Sequence, residues 1–265
     1  MKSLLTTLSL ATLLITTAGL HHSVALDLGT DITIADLNSR GEGWYGDRED
    51  QETEPGTITN QSWDLEGMFL RGSQLSLVGG YDFRQGEHKI YTGDIFIDVD
   101  GDIVYGQDIT TLRGNGYQAL SNSFGYDYVI DLTLDGNTLS SSYDVYQLDA
   151  SATLLSPYYR LNDESGAFRY VAGGELIGSG DVFYQSGLSD AELGFLGGRH
   201  NVLSVDLSFL NPGTAFTAHY TMGCGNDDLM GSGSLAPTAT PEPGTLLLLS
   251  SGMFAVIGLL RKRCA

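Results

Sequence analysis

Residues 126–134 read YDYVIDLTL, and their alternation decides the fold class. Tyr126, Tyr128, Ile130, Leu132 and Leu134 fall on one side of an extended chain, with Asp127, Asp131 and Thr133 on the other. Successive side chains of a strand point to opposite faces, so a period of two with polar residues between describes antiparallel strands with one buried face. The pattern recurs in Leu203, Val205, Leu207 and Phe209, and again in Phe216, Ala218, Tyr220 and Met222. No comparable stripe at helical spacing occurs between the two ends of the chain.

Glycine-rich breaks fall between the alternating runs. In DIFIDVDGDIVYG, residues 94–106, Ile95 and Ile97 predict one strand, Asp100-Gly101 a tight turn, and Ile103 and Tyr105 a returning strand. Asp-Gly suits that turn because glycine accepts the positive φ it requires. Further strands are expected at 63–70, 74–79, 143–148, 168–176 and 181–185. Roughly ten short strands point to an all-β chain, a single antiparallel β-sandwich or jelly roll spanning residues 26–235. Strand lengths and spacings vary too much for a solenoid. Residues 39–62, with GDREDQETEPG inside, are charged and aperiodic and are expected to form a mobile acidic loop. Residues 232–243, SGSLAPTATPEP, read as a flexible link, its last part 236–243 joining the domain to the C-terminal tail.

Both ends differ from this body. Residues 1–25 carry one cation, Lys2, then a run rich in leucine without an acid, and close on Ser23-Val24-Ala25. This is the pattern of a secretory signal peptide cut between Ala25 and Leu26; an uncleaved N-terminal anchor is the alternative. The net charge of −20 becomes −24 once the cations Lys2, Arg261, Lys262 and Arg263 of the two ends are removed. Such a body repels nucleic acid and anionic lipid and suits a solvated extracellular surface. Of two cysteines, Cys224 lies in the body and Cys264 in the tail, on opposite sides of an apolar segment, so Cys224 is expected to be a buried small residue rather than a nucleophile.

The tail has three parts: Pro241-Glu242-Pro243, an apolar run through Leu260, and Arg261-Lys262-Arg263. An apolar helix over 244–260 spans about 24–26 Å, slightly short of the roughly 30 Å bilayer core. The basic cluster, residues 261–265, would stay in the cytoplasm and leave the body outside. In this order, spacing and chain-end position the tail resembles the PEP-CTERM sorting signal of Gram-negative bacteria that produce exopolysaccharide. The resemblance covers about 25 residues, and Gly244 stands where many members have Ser or Ala. It implies recognition in the inner membrane by an exosortase, a cysteine-dependent transpeptidase-like enzyme that would read Pro241, Glu242 and Pro243. It also implies delivery to the cell envelope or its exopolysaccharide. Segments such as GGYDF at 79–83 and TMGCGNDDLMG at 221–231 are similar to an ectodomain type recurrent among such proteins, which implies a shared fold and no ligand.

Asp98, Asp100 and Asp102 alternate as the carboxylates opening a calcium loop do, yet Gly101 precedes the third and Ile109 stands where a bidentate Glu belongs. A plain turn is the favoured reading there, calcium the other. GCGNDDLMG, 223–231, resembles one turn of a calcium-binding nonapeptide array that needs stacked copies. The body's histidines, His88, His200 and His219, lie in no HExxH, the cysteines form no CxxC, and there is no Gly-x-Ser-x-Gly elbow. His219 is expected to face solvent. The expectation is a non-enzymatic surface or matrix protein without a cofactor. A carbohydrate-binding or carbohydrate-active module using exposed aromatics, from 14 Tyr, 10 Phe, Trp44 and Trp63, is the alternative.

Overall fold

The alternating runs become strands over most of their length, although Leu207 and Phe209 lie in a turn after their strand, and among the described residues no two neighbouring strands run parallel. The computed structural model describes residues 25–35, 49–53, 57–104, 115–159 and 166–237. Its strands are β1 (Thr30–Asp31), β2 (Thr33–Ile34), β3 (Leu65–Arg71), β4 (Gln74–Gly79), β5 (Thr92–Asp98), β6 (Ala119–Ser121), β7 (Tyr128–Asp135) and β8 (Thr138–Gln147). They continue with β9 (Thr153–Leu155), β10 (Arg169–Ala172), β11 (Glu175–Asp181), β12 (Phe183–Leu188), β13 (His200–Asp206), β14 (Ala215–Met222) and β15 (Asp228–Ser234). A 3-10 turn covers Gln61–Trp63, and one short helix, α1, covers Asp190–Leu193.

The strands form three sheets: β11-β8-β7-β5-β14-β15-β2, β1-β3-β4-β13-β12 and β10-β9-β6. The first two share one core, in which Leu65, Met68, Leu77, Leu203 and Val205 from the smaller sheet meet Ile95, Ile97, Ile130, Leu132, Ala218, Tyr220 and Leu229 from the larger. That is a β-sandwich built from the inward half of each alternating run. Where β15 crosses β3 the sheets approach so closely that a Cβ on Gly231 would lie 2.5 Å from the Met68 sulfur.

The third sheet covers the outer face of the larger one. Phe96 of β5 and Val129 of β7 point away from the sandwich core and pack with Leu120, Phe124, Tyr126, Leu154 and Ala167 in a second core. Every residue of β5 is therefore buried. This corrects the expectation of one solvated face for the central strands. His219, expected in solvent, is completely buried in β14 and stacks on Tyr126 with ring centroids 5.9 Å apart. Tyr126 itself lies ahead of β7 and packs on the side opposite Ile130, because the chain changes phase at Asp127, whose amide donates to Ile97 and whose carboxylate accepts from Val99.

Two strand boundaries also differ from expectation. The turn after β5 forms, with Gly101 at φ +82°, but the returning segment does not pair with β5. β5 instead pairs with β7 and β14, and the Val104 amide donates to Phe124. The run 168–176 is two strands in different sheets, separated at Gly173 and Gly174, whose φ values of +97° and +73° break an extended chain. At the C-terminal side, residues 228–234 are strand and Leu235 is core, so the folded body reaches into the stretch read as a link. The signal peptide up to Val24, the tail from Thr238 with its helix and basic cluster, and most of the acidic stretch 39–62 lie outside the described residues. Among the described residues no helix is long and apolar enough to cross a membrane.

Candidate metal centre

Three distant pieces of chain bring carboxylates together beside the smaller sheet: the turn 49–53, the 3-10 turn leading into β3, and the loop leading into β15. Glu49, Glu52 and Thr53 are buried, although they belong to the stretch expected to be mobile. A tight turn holds them, the Glu52 amide donating to the Glu49 carbonyl at 2.8 Å with Gln51 at φ +65°. A left-handed conformation costs a non-glycine residue about 1–2 kcal/mol. Here it turns the Gln51 amide onto Asp64 Oδ2 at 3.1 Å.

Asp64 follows the 3-10 turn and is completely buried. Its carbonyl accepts from the amides of Gly80 and Tyr81, which fixes the start of β3 against the end of β4. Its Oδ1 has no hydrogen-bond partner among the described residues. Burial, reinforced by the negative charges of Glu66, Asp50 and Glu52, pushes the Asp64 carboxyl up to about 9. Asp227 is buried alongside, Oδ2 accepting from the Leu65 amide at 2.7 Å and Oδ1 from the Asp228 amide at 3.0 Å. It too is raised far above the usual carboxylate range, by burial first and then by Glu52, Asp64 and Glu49. Next to it Asn226 clamps Ile58, accepting from its amide and donating to its carbonyl, both at 3.0 Å.

Glu66, also buried and raised by its burial, differs because it has a cation. His200 Nδ1 lies 2.7 and 2.8 Å from its two oxygens, and His200 Nε2 lies 3.0 Å from Asp190 Oδ1. Burial disfavours charge on His200, but its bonds to Glu66 and Asp190 prevail and raise its pKa, so an imidazolium donates from both nitrogens. Gln61 Nε2 adds a 2.6 Å bond to Glu66. The His200 pair is thereby satisfied, and Asp64 with Asp227 is the part of the cluster where carboxyl groups have no ion pair among the described residues.

Two carboxylate triads result, Glu49–Glu52–Asp227 and Asp50–Asp64–Glu66, each with one ligand oxygen per residue within 4.8 Å of the others. All donors are oxygens apart from the occupied His200, a set that suits a hard cation such as calcium rather than zinc. None of these residues stands out in the sequence, where 49–53 reads as a charged loop. The available signal was that GCGNDDLMG holds Asn226 and Asp227, and the fold joins that segment to the acidic stretch rather than to a second copy of itself.

The residues that the sequence did single out lie elsewhere. Asp98, Asp100 and Asp102 do come within 4.8 Å of one another, Asp98 buried and the other two exposed. Asp98 Oδ1 accepts from the Asp100 and Gly101 amides, and Asp100 Oδ1 from the Asp102 amide, so these carboxylates cap the turn. Ala25 is exposed and Leu26 half-buried, its amide donating to the Glu192 carbonyl at 2.8 Å. Cys224 is buried, and burial pushes its thiol up to about 12, far from a nucleophile's range. His88 stacks on Trp63 at 6.3 Å. Pro241, Glu242, Pro243, Arg261, Lys262 and Arg263 lie outside the described residues.

Neither the curated proteins nor the solved structures give a match to this chain. Residues 239–263 match the family model described as the PEP-CTERM protein-sorting motif, a span holding the PEP step, the apolar run and the three basic residues. The motif is the address of an exported protein handled by an exosortase at the membrane, and the chain that carries it is a PEP-CTERM protein.

Proposed function

We propose that this protein is a non-catalytic structural or adhesive component of the cell envelope or extracellular matrix, a β-sandwich ectodomain delivered by its C-terminal sorting signal. The match over residues 239–263 carries this reading. In it, residues 1–25 start translocation, the apolar run halts it, Arg261-Lys262-Arg263 fixes orientation, and Pro241-Glu242-Pro243 marks the place of processing. The non-catalytic part is supported by the chemistry of the buried polar groups. The Cys224 thiol is raised by burial, and His200 and His219 are enclosed in the fold.

The test is the intact mass of the protein recovered from envelope and medium, with its C-terminal peptide sequenced. The expected product ends near Pro243 and lacks the apolar run; a terminus at Ala265 in both fractions would overturn processing and leave a permanent anchor. A carbohydrate-binding role is the second reading, favoured by the exposed pair Tyr158 and Tyr159, whose rings meet edge to face at 4.9 Å. Such rings stack on sugar faces. Retention on purified exopolysaccharide that is lost in Tyr158→Ala/Tyr159→Ala would support it, and equal retention of both proteins would end it.

A further inference from the structure

We infer that Glu49, Glu52 and Asp227, with Asp64 as their neighbour, form a binding site for a divalent cation of the calcium class, which fastens the 49–53 turn to the sandwich. The first observation is metric. Oxygens on opposite sides of a calcium ion about 2.4 Å away are about 4.8 Å apart. One oxygen each of Glu49, Glu52 and Asp227 falls within 4.8 Å of the others, so a single point lies within about 2.8 Å of all three, and small side-chain movements bring them to calcium's coordination distance.

The second observation is independent of that count. Asp64 is completely buried, Oδ2 docks on the amide of Gln51 between Glu49 and Glu52, and Oδ1 has no hydrogen-bond partner among the described residues. In the same turn the Thr53 hydroxyl is completely buried and likewise has no hydrogen-bond partner among the described residues. Buried oxygens without donors are costly, and a cation is the ligand that satisfies several at once. The backbone amides of Leu65, Asp228 and Gln51 hold Asp227 and Asp64 in place from behind, as the supporting bonds of a ligand set do.

Calcium rather than magnesium fits because the donors form an all-protein carboxylate set, whereas magnesium retains much of its water. The ion would join residues 49–53, 64 and 227, segments separated by most of the domain, so its binding free energy is folding free energy.

The experiment uses the exported protein recovered after processing, stripped with EGTA and titrated with calcium chloride. Calorimetry and thermal melting are followed in parallel, with magnesium chloride as the comparison. The expected result is saturable calcium binding, a melting point that climbs with calcium concentration, and a much smaller response to magnesium. Glu52→Gln and Asp64→Asn should each weaken calcium binding by about tenfold or more. Neither should lower the melting point of the EGTA-treated protein, since each amide replaces a carboxyl crowded by other carboxyls. Weaker calcium binding without loss of the EGTA-treated fold separates a ligand from a residue whose loss merely unfolds the domain. Asp100→Asn, in the turn after β5, should leave the calcium response intact. The inference is overturned if EGTA and calcium leave melting and heat unchanged. It is equally overturned if Glu52→Gln and Asp64→Asn retain the full response, or if Asp100→Asn alone abolishes it.

Discussion

Arg169 decides whether Asp94 can be buried. Asp94 lies on the second-core side of β5, completely enclosed, and its oxygens accept from the amides of Leu132 and Tyr170. Arg169 reaches in from β10, 3.2 Å from Asp94 and 3.0 Å from Asp131. Burial raises the Asp94 carboxyl from 3.8 to about 7, with Arg169 pulling it down and Asp131 pushing it up. The folded pKa lies above the unfolded one, so the stability this group contributes is complete below pH 3.8 and is lost as pH rises through about 7. Urea denaturation of Asp94→Asn against the parent should show that the parent alone loses this increment between pH 4 and pH 7.5; parallel curves would count against it. Arg169→Met leaves the buried carboxylate without its cation and should cost roughly 3–5 kcal/mol at pH 8. The loss should shrink at pH 5, where Asp94 accepts a proton instead.

At the scale of elements, the loop before β15 organises its surroundings through side chains that imitate backbone. Asn226 gives Ile58 one donor and one acceptor, as a neighbouring strand would. Asn226→Ala should destabilise the fold by about 1–3 kcal/mol and expose a protease site near Ile58; a digestion pattern identical to the parent's would count against the clamp. The same elements show what was legible in the sequence. Alternation located β7, β13 and β14 because their inward residues are apolar whichever partner they meet. It could not show that the outward residues Phe96, Val129 and His219 would be covered, since the covering sheet is made of three short strands with weak patterns of their own. Asp131 read as solvent-facing for the same reason: a carboxylate opposite a distant arginine looks in one dimension like any surface acid. The acidic turn was illegible in a different way. Glu49 and Glu52 gather with Asp227 from far along the chain, a meeting that depends on the closed sandwich and leaves no local period.

Across the whole molecule, the body ends later than its composition suggests. Leu235 belongs to the core, its amide donating to Thr214 and its carbonyl accepting from Gly213. A chain ending at Pro237 should therefore melt with the processed protein, whereas one ending at Ser234 should lose about 2–4 kcal/mol with the leucine. Equal stability of the two truncations would place the boundary earlier. The strand that precedes this end, β15, lies between β14 and β2, with seven residue pairs on one side and two on the other. A protein held by its C-terminus takes mechanical load there, whether the handle is the apolar run or whatever replaces it. Tension on β15 enters a strand gripped along both edges and passes through β14 into β5 at the middle of the larger sheet. The tether thus pulls on a strand bonded along its whole length to β14, so shear is resisted by many hydrogen bonds acting together.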